Sequence, residues 1–327
     1  MPVPCVRVDR ERGEATRQRL DAAGLLSETH DIAVEGEALY IPVTDAGAVP
    51  EDLAVVDHDA PERDRQTTPA DLLGFEPTYE RLGDIVIVDE DDPERAHAIA
   101  DAIIDSNIPV ATVVNKRSKI KGETRIRDWE VLAGDGTETV HREYGAEFAL
   151  DLASVYFTPR LATERHRVVE QVAAGEQAFD MFAGVGPYAV PMAMRGADVV
   201  ATDINETAIR YLRENADRNG VTDSVTAIAS DVRDVATDYE DWAGRLVMNL
   251  PHSAHEFLDA AMTLAGDEAV IHYYDIQHEN DPYGPGERAI REAADAEYDV
   301  AVETRREVRT YAPHEVNVVL DVRLIRR

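Results

Sequence analysis

The sequence predicts an α/β protein. Its C-terminal half reads as a doubly wound sheet, preceded by an α+β middle unit and a small N-terminal α/β unit. Three observations predict this. From about Arg160, short apolar runs alternate with segments of helical period, as in a sheet covered by helices on both faces. Between about Glu76 and Val155, runs that alternate apolar and polar residues flank one helical segment. A polar stretch over 58–75, with Pro61 and Pro69, separates these parts from residues 1–57 and reads as a linker.

In the first unit, "EATRQRLDAAGLL" repeats Thr16, Leu20, Ala23 and Leu25 at helical spacing, and "ALYIPV" is a short strand. In the second, "DIVIVD" and "VATVVN" are strands on either side of the helix "DPERAHAIADAIID", which Pro93 opens. "WEVLAG" and "TETVHREYGAEFALDLASVYF" alternate like antiparallel strands. In the third unit, 156–327, the strands are "QAFDMFAG", "ADVVATD", "VTAIASD", "RLVMNLP" and "AVIHYYDI". The helices between them are "GPYAVPMAMRG", "NETAIRYLRENADRNG" and "HSAHEFLDAAMTLAG".

Composition narrows the chemistry. No run approaches 18 apolar residues and no signal-peptide core follows the N-terminus, so a cytoplasmic protein without membrane segments is expected. Cys5 is the single cysteine, which excludes an intrachain disulfide and a Cys-based zinc site, and no metal is expected. Acids outnumber bases 65 to 33, for a net charge of -32. Acids spread along the whole length, with lysine nearly absent, are the pattern of adaptation to high salt. There the Debye length shrinks to roughly 3 Å at 1 M, and net charge no longer argues against a nucleic-acid partner. The three lysines, Lys116, Lys119 and Lys121, all fall in "VVNKRSKIKGETRIR" beside Arg117, Arg125 and Arg127.

"AFDMFAGVGPYAVPMA" places Gly184 and Gly186 between a strand and a helix, where a backbone must turn tightly and let a ligand approach. Asp203 ends the next strand, suitably placed for both ribose hydroxyls, and Asp231 ends the third, suited to an adenine amino group. Ala189 stands where a dinucleotide site would carry its third glycine, and Asp180 ends the first strand, where it could hold an amino-acid moiety. The pattern D-x-F-x-G-x-G therefore fits S-adenosylmethionine, in a class I (Rossmann-like) methyltransferase domain, better than it fits NAD. Phe182 within the turn and Val232 after Asp231 join the expected cofactor-binding set. The fourth strand ends in "NLPH"; Asn249 and Pro251 form the Asn-x-Pro turn that enzymes methylating planar ring nitrogens often place beside the sulfonium. His252 and His272 read as surface and structural residues.

With these motifs the chain resembles the archaeal tRNA (guanine-N1-)-methyltransferases that act at position 37, in their three-domain form. The resemblance runs the full length, through "ERGEATRQRL", "KGETRIRDWEVLAG", "VYFTPRLATERHR", "DMFAGVGPY", "DINETAIRYLREN", "SDVR", "MNLPHSAHEFLDAA", "VIHYYDI" and "YAPHEVNVVLDV". It implies that the first domain touches the outer corner of tRNA, and that the other two hold the anticodon stem-loop with the target guanine flipped out. It implies that Arg125 meets guanine O6 and that Glu164 is the general base. Tyr156, Asp203, Asn205, Asn249 and Pro251 match cofactor or guanine-pocket positions. A monomer is expected.

The chemistry asks for those residue types. The sulfonium methyl is already activated, whereas guanine N1 carries a proton. A positioned carboxylate that removes it is worth about 10²–10⁴-fold. A guanidinium at O6 stabilises the charge that develops there. Read from its neighbours alone, Glu164 would instead pair with Arg165 or Arg167. Lys116, Arg117, Lys119 and Lys121 are expected to contact phosphates of the anticodon stem; a basic loop paired with neighbouring acids is the alternative. Competing functions are methylation of a wyosine precursor at the same tRNA position and tRNA binding without catalysis. Exocyclic amine methylation is disfavoured because N-L-P-H lacks an aromatic after the proline, and cytosine C5-methylation because Cys5 lies far from the site.

Overall fold

The computed structural model describes residues 2–63, 67–119, 122 and 125–327, which divide into two compact units, 1–72 and 73–327. In the first, β1 (Val3–Asp9) leads into α1 (Arg10–Ala22), followed by β2 (Ala33–Glu35), β3 (Ala38–Pro42) and β4 (Ala54–His58). Their sheet has the order β2-β3-β1-β4, with every pairing antiparallel. Leu20 of α1 packs with Val6, Val8 and Ile41 on one face of it. The stretch read as a linker contains structure: Glu62 bridges to His30, and α2 (Pro69–Leu73) follows.

The second unit opens with a four-stranded sheet of order β5-β6-β7-β8, built from β5 (Tyr79–Leu82), β6 (Ile85–Val88), β7 (Thr112–Lys116) and β8 (Trp129–Ala133). Helix α3 (Pro93–Asp105) makes the crossover between the parallel strands β6 and β7. Asp92 caps it by accepting hydrogen bonds from the amides of Glu94 and Arg95. A hairpin of β9 (Glu138–Glu143) and β10 (Ala146–Asp151) then leads to α4 (Ala162–Val169).

The rest is the doubly wound sheet. It comprises β11 (Gln177–Asp180), α5 (Ala189–Met194), β12 (Asp198–Asp203), α6 (Glu206–Arg218), β13 (Val225–Ala229), α7 (Val232–Val235), β14 (Ala243–Met248) and α8 (Leu258–Leu264). It closes with β15 (Ala265–His278), α9 (Gly284–Ala294), β16 (Tyr298–Ala312) and β17 (Glu315–Arg326). The order is β13-β12-β11-β14-β15-β17-β16, parallel through β15 and antiparallel at the last two pairings. Strand order reverses between β11 and β14, the crevice where such sheets bind ligands. One hydrophobic cluster runs from Leu82, Ile85 and Phe148 to Tyr188, Leu212 and Val319, so the middle sheet, the hairpin and the doubly wound sheet share a core.

The sequence expectation locates all five parallel strands but not α9, β16 or β17. β16 carries charge at almost every second position because it is the sheet's exposed edge, which hides its strand character. The helix expected over 252–266 is regular only from Leu258 to Leu264.

Candidate active site

The glycine turn lies at the switch point. Gly184 and Gly186 have φ of 53° and 93°, a left-handed backbone that β-carbons disfavour. A Cβ on Gly186 would come within 2.3 Å of Leu212 Cδ1, so α6 packs as close as a glycine allows. The Gly184 amide donates to Asp203 Oδ2 at 2.8 Å, and the Asn205 amide donates to Oδ1 at 2.9 Å. Burial raises the pKa of Asp203, and these two amides partly offset the rise.

Asp180, at the end of β11, is fully buried, and neither carboxylate oxygen has a hydrogen-bond partner among the described residues. Burial, followed by the charge of Asp203, pushes its pKa up to about 7. The amides of Phe182 and Ala189 oppose this rise without meeting hydrogen-bond geometry. An unpaired buried carboxyl is costly unless a ligand supplies the donor. The ammonium of an amino-acid moiety would do so, beside a turn with no side chain in the way. The residues present thus fit S-adenosylmethionine.

Other expected cofactor residues have structural work. Asn205 caps α6, accepting from Thr207 and Ala208, and its side-chain amide donates to the Ser154 carbonyl at 3.0 Å. It therefore also secures the segment before Tyr156. The carboxylate of Asp231 is engaged by the Arg233 guanidinium at 2.6 and 3.0 Å, which lowers its pKa. The Val232 side chain lies in the core, and Phe182 packs edge-on against Phe257.

The acceptor side meets the turn at Tyr156. Arg125 lies over the Tyr156 ring, 4.6 Å from its centroid, and a Cβ on Gly184 would lie 3.9 Å from the Tyr156 carbonyl oxygen. Arg125 has a φ of 57°, uncommon for a residue with a side chain. Asn249, half-buried just past β14, makes no side-chain hydrogen bond among the described residues. Pro251 is buried, and its carbonyl accepts from the Ile276 amide at 3.2 Å. His252 Nε2 is 3.1 Å from the Tyr311 hydroxyl. Burial lowers the His252 pKa, and the Arg125 charge lowers it further.

Glu164 is buried on α4. It accepts from Arg167 at 2.7–3.1 Å and from the Tyr274 hydroxyl at 3.0 Å, and Arg306 lies 3.6 Å away. Arg165 instead pairs with Glu143. The pairing expected from neighbours alone is thus present, with Arg167. Sequence reasoning did not find the companions. Arg167 also reaches Asp321 at 2.6 Å, Asp321 accepts from His272 Nδ1 at 2.7 Å, and His272 Nε2 accepts from Arg245 at 2.6 Å. Tyr188 donates to Tyr274 at 2.8 Å and completes the chain.

The lysine cluster divides. Lys116 is bound by Asp89 at 3.1 Å and Glu80 at 3.4 Å, and Arg117 by Glu130 at 3.5 Å. Both are expected phosphate contacts, and in the absence of RNA each is paired with neighbouring acids. Lys119 is exposed and has no ion pair among the described residues, whereas Lys121 lies outside them. Among the described residues, no group of side chains could hold a metal, and no helix is long and apolar enough to cross a membrane.

Three family models match in succession. They are the tRNA methyltransferase 5 N-terminal domain over residues 5–49, the TYW2 N-terminal domain over 65–137, and the TRM5/TYW2 methyltransferase domain over 139–302. The tRNA (guanine(37)-N(1))-methyltransferase Trm5b of Pyrococcus abyssi is 41% identical, over 98% of both chains. A structure of aTrm5 in complex with tRNALeu is 31% identical, with a TM-score of 0.76 over 98% of this chain and 99% of that one. The TYW2 of M. jannaschii, solved with AdoMet, is 29% identical with a TM-score of 0.63, over 76% of this chain and 100% of its own. With a full-length relative at that identity and the buried carboxyl and glycine turn in place, this chain belongs to the tRNA methyltransferase 5 (Trm5) family.

Proposed function

We infer that this chain transfers the methyl group of S-adenosylmethionine to N1 of guanine at position 37 of tRNA. The observation that carries the mechanism is the stack of Arg125 on Tyr156, whose carbonyl faces Gly184. It sets a permanent cation beside the cofactor turn. When bound, the cofactor would supply an electrophilic methyl on a sulfonium, with sulfur keeping the electron pair of the broken S–C bond as a neutral thioether.

This chain's residues manage the acceptor. Arg125 donates to O6 as negative charge grows there. Asn249, with an uncommitted side chain at the end of β14, orients the guanine edge. Glu164 takes the N1 proton as the N1–C bond forms. Its carboxylate already accepts from Arg167 and Tyr274, so it works with lone pairs those donors leave free. The anticodon stem-loop lies against the middle and C-terminal parts, the outer corner of tRNA against residues 1–57, and the protein acts as a cytoplasmic monomer.

The test is incubation with S-adenosylmethionine and unmodified tRNA transcripts carrying G37 or A37, in high salt, followed by nucleoside mass spectrometry. 1-Methylguanosine from the G37 transcript alone is expected. Methylation only of tRNA that already carries a wyosine precursor would replace this reading.

A further inference from the structure

On the terminal hairpin, Arg305, Arg306, Arg323 and Arg326 are all ion-paired. Arg309 has no ion pair among the described residues, and its Nε is buried without an acceptor. Directly across the ladder on β17 is Asn317, 2% exposed, whose Oδ1 is likewise buried and unpartnered. An orphaned donor thus lies opposite an orphaned acceptor, and each costs free energy while unmade.

Register places this pair at the active site. Opposed residues of an antiparallel ladder share a face, and alternate residues of a strand return to it. His272, Tyr274 and Ile276 on β15 oppose Asp321, Val319 and Asn317 on β17, and Arg306 and Arg309 on β16 oppose Val319 and Asn317. This is the face on which Tyr274 and Arg306 meet Glu164. Arg309 is one step further toward the hairpin tip. Its guanidinium lies 5.9 Å from the ring of Tyr311, which is 41% exposed and whose hydroxyl meets His252 of the Asn-x-Pro turn.

We propose that Arg309 and Tyr311 form a nucleotide-binding clamp for the residue flanking the target guanine, with Arg309 taking a phosphate and Tyr311 stacking on the base. Turning Nε onto Asn317 Oδ1 satisfies both orphans and presents the two Nη groups outward, in the planar fork that suits phosphate oxygens. Tyr311 supplies the sequence-tolerant stacking surface that single-stranded nucleic acids use. Asn317 is then a positioning residue for Arg309. The clamp rests on tRNA being the substrate.

The test compares wild type, Arg309→Ala, Tyr311→Ala and Asn317→Leu with G37 transcripts that are intact or abasic at position 36 or 38. Arg309→Ala should weaken tRNA binding about ten-fold and flatten the salt dependence by about 0.7 in the log–log slope, as for one single-strand phosphate. S-adenosylmethionine affinity should stay unchanged. Tyr311→Ala should cost about ten-fold on the intact transcript and nothing on the transcript lacking the stacked base. Asn317→Leu should reproduce the Arg309→Ala slope. Wild-type tRNA affinity and slope in Arg309→Ala, or an equal Tyr311→Ala loss on every transcript, overturns the clamp. A wild-type protein that neither binds nor methylates the transcripts instead overturns the substrate on which it rests.

Discussion

Arg167 holds Glu164 with its Nη2 2.7 Å from Oε1, while its Nη1 reaches Asp321 at 2.6 Å. One guanidinium thus ties the proposed base on α4 to a buried acid on β17. Asp321 in turn holds His272, whose Nε2 must accept because Arg245 can only donate, so Nδ1 carries the proton. Burial lowers the His272 pKa, and the hydrogen bonds from His272 and Arg167 hold Asp321 well below the usual carboxylate range.

Asp321→Ala should lower unfolding free energy by about 3–5 kcal/mol, because it leaves Arg167 without half its partners in the interior. Urea denaturation in high salt checks this. The milder Asp321→Asn should lower kcat with little change in KM for S-adenosylmethionine and should shift the pH–rate profile, since it alters the charge around Glu164. An unshifted profile with reduced stability would make Asp321 purely structural.

Asp180 predicts a pH-dependent stability. Its folded pKa of about 7 lies above the unfolded value near 3.8, so the folded state binds the extra proton. The contribution is fully present at low pH and is lost as pH rises toward 7. Asp203, also raised, acts in the same direction, whereas His272 opposes it in the mildly acidic range. Without ligand, Asp180→Asn should therefore lose less stability, or gain more, between pH 5 and 8 than wild type. It should also bind S-adenosylmethionine more weakly, as calorimetry would report. Parallel melting curves for the two proteins would count against a buried ionisable Asp180.

The lysine cluster gives a third expectation. Lys116→Ala should change tRNA affinity by less than about three-fold, since it removes a cation already neutralised by Asp89 and Glu80. Lys119→Ala should weaken binding more and reduce the salt slope. Filter binding across a salt series separates them, and a larger effect from Lys116 would show that RNA displaces the acids.

Much of the site is legible in sequence because it is local. Asp180, Gly184, Gly186 and Asp203 follow one another at strand ends, and period and spacing place them. Arg125 and Tyr156 become neighbours only through the fold, and a resemblance, not a pattern, pointed to them. What stayed hidden is long-range. No periodicity announces that Asp321 serves Arg167 or that Arg309 has no carboxylate partner among the described residues. Lys116 shows the converse: its composition reads as free charge, yet Glu80, 36 positions earlier, lies beside it once β5, β6 and β7 have joined.

The strand order also dictates a timetable. β17 follows β16 in sequence yet lies between β16 and β15. While the polypeptide is being made, β16 has no neighbour to pair with, and Arg167 waits 154 positions for Asp321. The methyl-donor pocket can form on the growing chain well before Glu164 gains its full set of companions. A nascent enzyme should therefore hold its cofactor before it can use it, and ribosome-stalled chains ending near Pro313 should bind the donor without modifying RNA.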